Sequence, residues 1–180
     1  MAWKALIATV DKTTSLDMSS GVVIQRSKNE RSTARFTTVN GYVPALRAEV
    51  ELYDTDGVTV LFGGIIFSRQ TRGVGALMFT ECECVDWSIY TTWRTITKTF
   101  NGVVTLKTVL QGLITDYLTD YGITLAVGQV DGPSTTVTGF QVTTKPIDQF
   151  LRDLTTYSGG YVWGITPAKV LQMVINAAAP

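Results

Sequence analysis

The chain has 180 residues, 45% of them hydrophobic, with a formal net charge of zero. That is enough chain to bury a core without staples, and too apolar for a disordered segment. Only 17% of residues are charged and 28 threonines take their place, a composition suited to a pleated, half-wet β surface.

The sign balance shifts only mildly, with seven basic and four acidic side chains in residues 1–50 and four and six in 51–100. No concentrated basic face arises, so specific nucleic-acid binding is not expected. No apolar run reaches the ~18 residues of a membrane span, and residues 1–30 lack the pattern of a signal peptide.

In chain order, Ala2–Val10 and Val22–Gln25 are apolar runs that read as strands. Ser32–Val39 alternates, with Ala34 and Phe36 on one face, and Asn40-Gly41 follows as a turn. From Leu46 to Tyr53 the alternation predicts Leu46, Ala48, Val50 and Leu52 facing a core and Arg47, Glu49 and Glu51 facing water. Asp54-Thr55-Asp56-Gly57 is a hairpin turn sequence. The return run Val58–Phe67 contains Gly63-Gly64, which inside a strand predicts a bulge or sharp bend. A polar loop at 68–75 precedes further strands at Leu77–Trp87 and Thr91–Phe100. Short strands at this spacing predict an antiparallel barrel or sandwich.

The period changes after Asn101-Gly102. Leu106, Val109, Leu110, Leu113, Ile114, Tyr117, Leu118 and Tyr121 recur at helical steps. Thr105 or Asn101 is placed to cap that helix and Gly122 to stop it. Ile123–Val127 reads as a short strand, Gly128–Pro133 as a loop and Thr135–Val142 as an extended piece. A second helix starts near Pro146, with Asp148 in its first turn, Ile147, Phe150, Leu151 and Leu154 as its stripe, and Gly159-Gly160 at its end. Tyr161–Ile165 and Lys169–Ile175 form a hairpin, and Asn176–Pro180 follows. The fold class expected is therefore mainly β with an α+β part. An antiparallel barrel occupies 1–101, and an α+β module with helices at about 105–121 and 146–158 occupies 102–180.

The chain contains no histidine, which removes Ser-His and Cys-His nucleophile pairs and the commonest metal ligand. Cys82 and Cys84 share a strand face and read as buried free thiols; with no histidine they do not complete a zinc site. The acidic pairs Glu49/Glu51, Asp54/Asp56 and Glu81/Glu83 have strand spacing, and a solvated face outweighs a glycosidase-like dyad for each. Gly73-Val74-Gly75 is too short to cradle a phosphate. Arg26, Lys28, Arg31 and Arg35 form a loose basic cluster at a hairpin tip, or a contact to an acidic neighbour. Trp3, Trp87, Trp93 and Trp163 are expected in core or interface packing. No catalytic, cofactor-binding or metal-binding residue is assigned.

Four segments carry a resemblance to a known family: Arg31–Val39, Phe62–Ile66, Glu83–Trp87, and the run from Lys145 to Leu151 and on through Tyr157–Ile165. In their order and spacing they resemble the N-terminal part of phage tail hub proteins. That family comprises the baseplate hub of contractile tails, the late-control protein of temperate phages and the tail-tip hub of long non-contractile tails. The resemblance implies a non-enzymatic virion component made in the host cytoplasm. It implies a homotrimer whose barrels form a pseudo-sixfold ring between the tail tube protein and the tip or spike protein, beside distal tail or baseplate proteins. It also implies a second barrel after the α+β module in a full-length hub, so that these residues correspond to its leading part or to a minimal hub. Two other readings remain: a distal tail (ring adaptor) protein, and a carbohydrate-binding or cell-wall-degrading module.

Overall fold

The computed structural model describes residues 3–27, 29–125, 136–158 and 160–175. The chain forms two compact units, residues 1–27 with 31–87, and residues 28–30 with 88–180.

The first unit is one seven-stranded antiparallel sheet built from β1 (Lys4–Ile7), β2 (Val10–Asp11), β3 (Val23–Gln25), β4 (Thr33–Thr38), β5 (Glu49–Tyr53), β6 (Val60–Arg72) and β7 (Phe79–Asp86). Its order is β2-β1-β5-β6-β7-β4-β3. The period-two pattern of the sequence sets its two faces. Ala34 and Phe36 of β4, Val50 and Leu52 of β5, and Cys82 and Cys84 of β7 are all buried in one cluster with Ala5, Ile7, Phe62 and Ile66. Glu81 and Glu83, one residue out of phase, face solvent. A sheet that buries one face against itself must curl.

The expected barrel is not closed by strand pairing: among the described residues the sheet ends at β2 and β3, which do not pair with each other. β2 has two residues and β3 three, too few to complete a ladder. The segment between them carries the chain from one sheet end toward the other. Lys12 N donates to Ala5 O (2.9 Å), Asp17 N to Thr37 O (2.8 Å) and Val39 N to Ser15 O (2.8 Å). Leu16, on a short 3₁₀ connection, packs into the core cluster.

Two sequence expectations shift here. Leu46 is 53% exposed rather than buried. Arg47 adopts a left-handed φ of +64° and Ala48 N closes a turn on Ala45 O (3.2 Å), so strand pairing begins only at Glu49 and the alternation upstream is lost. Near Gly63-Gly64 the register irregularities fall to either side, between Leu52 and Tyr53 against β6 and between Ile66 and Ser68 against β7. Gly64 itself answers to a close backbone approach, since a Cβ there would lie 2.0 Å from Val85 O.

The β1–β2 hairpin offers a direct test of backbone strain. Ile7 pairs with Val10, so the loop is the two residues Ala8 and Thr9, both left-handed at φ +50° and +66°. Such a primed turn favours Asn-Gly, and each L-residue with a Cβ costs about 1–2 kcal/mol there. The double substitution A8N/T9G is expected to stabilise the protein by about 1.5 kcal/mol, a rise of roughly 3–6 °C in melting midpoint by calorimetry. An unchanged midpoint would show that the turn carries no strain.

The second unit begins with one helical turn, α1 (Ile89–Thr92), and a long ribbon of β8 (Thr95–Thr105) paired with β9 (Thr136–Pro146). The strand expected from Thr91 thus starts at Thr95. The expected module boundary at 101/102 falls inside β8, and the compact units divide after Trp87 instead. Asn101 and Gly102 are a bulge in mid-strand: Phe100 pairs with Phe140 and Val103 with Thr138, leaving both residues opposite Gly139 alone.

α2 (Leu106–Leu113) follows directly, capped by Thr105 Oγ1, which accepts from Thr108 N (3.1 Å). It runs on through a π turn at Ile114–Leu118 and a 3₁₀ turn at Thr119–Tyr121, and Gly122 stops it at φ +71°. Leu106, Val109, Leu110, Leu113, Ile114 and Leu118 are its buried stripe.

α3 (Ile147–Ser158) starts after Pro146 and buries Ile147, Phe150, Leu151, Leu154 and Thr155. β10 (Tyr161–Ile165) and β11 (Leu171–Ile175) make a hairpin, closed by Lys169 N donating to Thr166 O (2.9 Å). Of the strand expected at Ile123–Val127, Thr124 forms a single parallel bridge with Val170. Its end, the 128–133 loop, Gly159 and Asn176–Pro180 lie outside the described residues.

Candidate assembly surfaces

Several of the residues that could carry chemistry are held by the fold. Cys82 and Cys84 pair with Phe36 and Ala34 across the β4–β7 ladder and are buried free thiols. Burial pushes the Cys82 thiol up to about 11 and raises Cys84 further. Raised thiol pKa values favour the folded state below the ordinary cysteine range, and that contribution is lost as pH climbs through the folded values. Both thiols are therefore expected to resist iodoacetamide at pH 8 in the native protein and to react fully in denaturant. Stability should fall between about pH 9 and 11. Native labelling at the denatured rate would refute their burial.

Glu83 lies on the wet face. It accepts from Ser68 Oγ (2.8 Å) and pairs with Arg35 at 2.7 Å; both side chains are more than half exposed, so the pair contributes little. Glu81, exposed beside it, shares this solvated face. Glu51 accepts the Tyr53 hydroxyl (2.6 Å) and Glu49 is exposed. Asp56 organises the β5–β6 turn, accepting Val58 N and Thr59 N, each at 2.8 Å, and Thr59 Oγ1 at 2.5 Å. The Thr59 bonds hold its carboxyl below the usual range, and Asp54 N is spent on Thr59 O (2.8 Å). Of the basic cluster, Arg26 reaches Leu61 O (3.3 Å) and Arg31 is exposed. Lys28 lies outside the described residues.

The tryptophans divide. Trp87 (1% exposed) and Trp163 (5%) are core, and Trp3 packs against the first unit's cluster. Trp93 is 42% exposed, edge-on to Tyr90 at 5.2 Å, with Tyr90 stacked on Tyr121 at 4.3 Å. Arg94 covers Tyr121, its Nε donating to the tyrosine hydroxyl (3.1 Å), and pairs with Asp120 at 3.4 Å.

Among the described residues several large apolar side chains stand exposed. Val74 (86% exposed) and Leu77 (85%) stand at the β6–β7 turn, and Val23 (61%) lies on the last strand of the sheet. In the second unit a groove of about 470 Å³ runs between β9 and α3. It is lined by the unbroken run Val137–Thr143 and by Phe150, Leu154 and Tyr157, one face of α3. Phe140 and Phe150 form its floor with centroids 6.0 Å apart, backed by Phe100 at 4.9 Å from Phe140. The sequence pattern marks Phe150 and Leu154 as apolar stripe but gives no sign of the groove, because which strand edges stay open depends on partners distant in the chain.

This fold, a curled antiparallel sheet followed by a two-helix α+β unit, is shared with solved phage tail proteins. The prophage MuSo2 43 kDa tail protein of Shewanella oneidensis superposes at a TM-score of 0.70 and 11% identity, over 97% of this chain and 54% of its own. The prophage tail protein gp18 of Listeria monocytogenes EGD-e gives 0.66 and 12%, over 96% and 50%. The E. coli c3393 protein, a type VI secretion component described as similar to T4 tail proteins gp27 and gp5, gives 0.61 and 9%, over 94% and 48%. This chain thus spans about half the length of these structures. No family model matches it, and no curated protein does.

Proposed function

We propose that this protein is a central hub subunit of a phage tail tip or baseplate. It acts without catalysis, by assembling with copies of itself as a homotrimer and by joining the tail tube protein to the tip or spike protein. Distal tail or baseplate proteins are its further neighbours, and the mature location is the virion. One observation carries the reading: both units, in the same order, superpose over 94–97% of the chain on tail proteins and on a secretion component described as like gp27 and gp5. The composition supports it, since the chain has no histidine and its two thiols are buried. The charge-poor composition is a liability for a lone molecule but not for one covered by neighbours.

Native mass spectrometry together with capture of the cognate tail tube protein tests the proposal. A trimer that retains tube protein is the expected result. A lone monomer at every concentration, showing glycan-dependent Trp93 fluorescence or glycan turnover, would replace this reading with the carbohydrate-binding or cell-wall one.

A further inference from the structure

Two Asn-Gly pairs and one Asp-Gly pair lie among the described residues, at 40–41, 101–102 and 56–57. Each is a latent reaction centre. Glycine has no Cβ to shield its own amide nitrogen, so that nitrogen can attack Cγ of the preceding side chain. On an asparagine the attack forms the N–Cγ bond of a five-membered succinimide. The side-chain nitrogen is expelled as ammonia and takes the glycine N–H proton with it. Water then opens the ring at either carbonyl, giving aspartate or isoaspartate with no redox change. In a folded chain the rate depends on two freedoms, that of the glycine N–H to lose its proton and that of the side chain to turn.

The fold treats the three pairs differently. At Asp56 the carboxylate accepts Val58 N, Thr59 N and Thr59 Oγ1, and Gly57 N donates to Asp54 O (2.9 Å). Both reacting groups are committed there. At Asn40 the nucleophile is committed: Gly41 N donates to Met78 O (3.3 Å). Gly41 is also half-buried, and a Cβ on it would lie 3.7 Å from Gly75 O and 3.9 Å from Met78 Cε.

Asn101-Gly102 carries neither restraint. Both residues are exposed. The β8–β9 register steps from Phe100–Phe140 to Val103–Thr138, so neither residue has a partner of its own across the ribbon. The Asn101 side chain makes no hydrogen bond among the described residues. Its chain neighbours apart, nothing lies within 4 Å of the place a Gly102 Cβ would take. A bulge also has backbone to spare, since it already sets two residues against one. It can absorb the extra main-chain atom of isoaspartate without breaking the ladder on either side.

We propose that Asn101 is a self-modification site of the folded protein, converting to aspartate and isoaspartate while Asn40 is held back. The reaction needs only water, so it is independent of the hub reading. Its product places a carboxylate next in sequence to Phe100, whose ring backs the floor of the β9–α3 groove. It also lowers a formal net charge of zero by one unit.

Incubation of the purified protein at mildly alkaline pH, read by peptide mapping and ion-exchange chromatography, tests this. In guanidinium both asparagines are expected to react alike. In the native protein Asn101 is expected to keep most of its denatured rate. Asn40 is expected to slow about tenfold, the scale of one hydrogen bond that must open first. N101S should abolish the acidic species that native protein accumulates, and N40S should leave it. N101D, which mimics one product, is expected to melt within about 2 °C of the parent. Native rates that are equal at the two asparagines, or slowed alike, overturn the assignment. So does an acidic species that survives N101S.

Discussion

Gly64→Ala is expected to lower the thermal midpoint by roughly 6–12 °C, about 3 kcal/mol. The added Cβ would lie 2.0 Å from Val85 O and 2.8 Å from Asp86 Cα. Both are backbone atoms of β7, so no change of rotamer relieves the clash. Gly64 is also held from both sides, paired with Val50 in β5 and with Asp86 in β7. Relief therefore requires three strands to move apart at the centre of the sheet. Calorimetry of G64A against the parent checks this, and a loss below about 1 kcal/mol would mean that the β6–β7 separation relaxes freely.

Leu110→Ala is expected to cost about 3–4 kcal/mol, read as a lower urea midpoint with an unchanged slope. Leu110 is fully buried at the centre of the α2 stripe, between Leu106 and Leu113. Truncation removes its transfer free energy and leaves a void that a close-packed interior is too rigid to fill. Lys107, exposed on the same helix, is the control, and K107A should change stability by less than about 0.5 kcal/mol. Similar losses for both would indicate a helix that is frayed rather than packed.

Where a residue's surroundings follow from its own period, the sequence is a reliable guide. Ala34 and Phe36, Val50 and Leu52, and Cys82 and Cys84 lie where alternation puts them. So does the α2 stripe, apart from Tyr117 and Tyr121, which are half-buried; Tyr117 turns its hydroxyl to the Thr97 backbone. Two of the errors share one cause, the choice of a distant partner, and a third is local. Asn101-Gly102 has the composition of a turn between modules, yet the bulge it forms is required by Gly139, which opposes both residues. Thr91–Phe100 has the pattern of a seventh barrel strand, but the strand starts at Thr95 and its partner is β9, some 40 residues on. Leu46 is in phase with Val50 and still reaches solvent, because one left-handed residue, Arg47, resets the phase. The candidate surface was least legible of all: that β8 is the sole strand neighbour of β9 among the described residues is not written in the period of β9 itself.

The pairing order of the first unit also has a bearing on how the protein is made. β1 has no sheet partner beyond its own hairpin until β5, and β4 has none beyond β3 until β7, which ends at Asp86. At roughly 5–20 residues per second of synthesis, the apolar N-terminal strands leave the ribosome about 4–16 s before the sheet can be completed. Val22-Val23-Ile24 is one apolar stretch that waits through most of that interval. Translation pauses before residue 86, or loss of holding chaperones, should therefore raise co-translational aggregation, whereas the same stresses applied later should not.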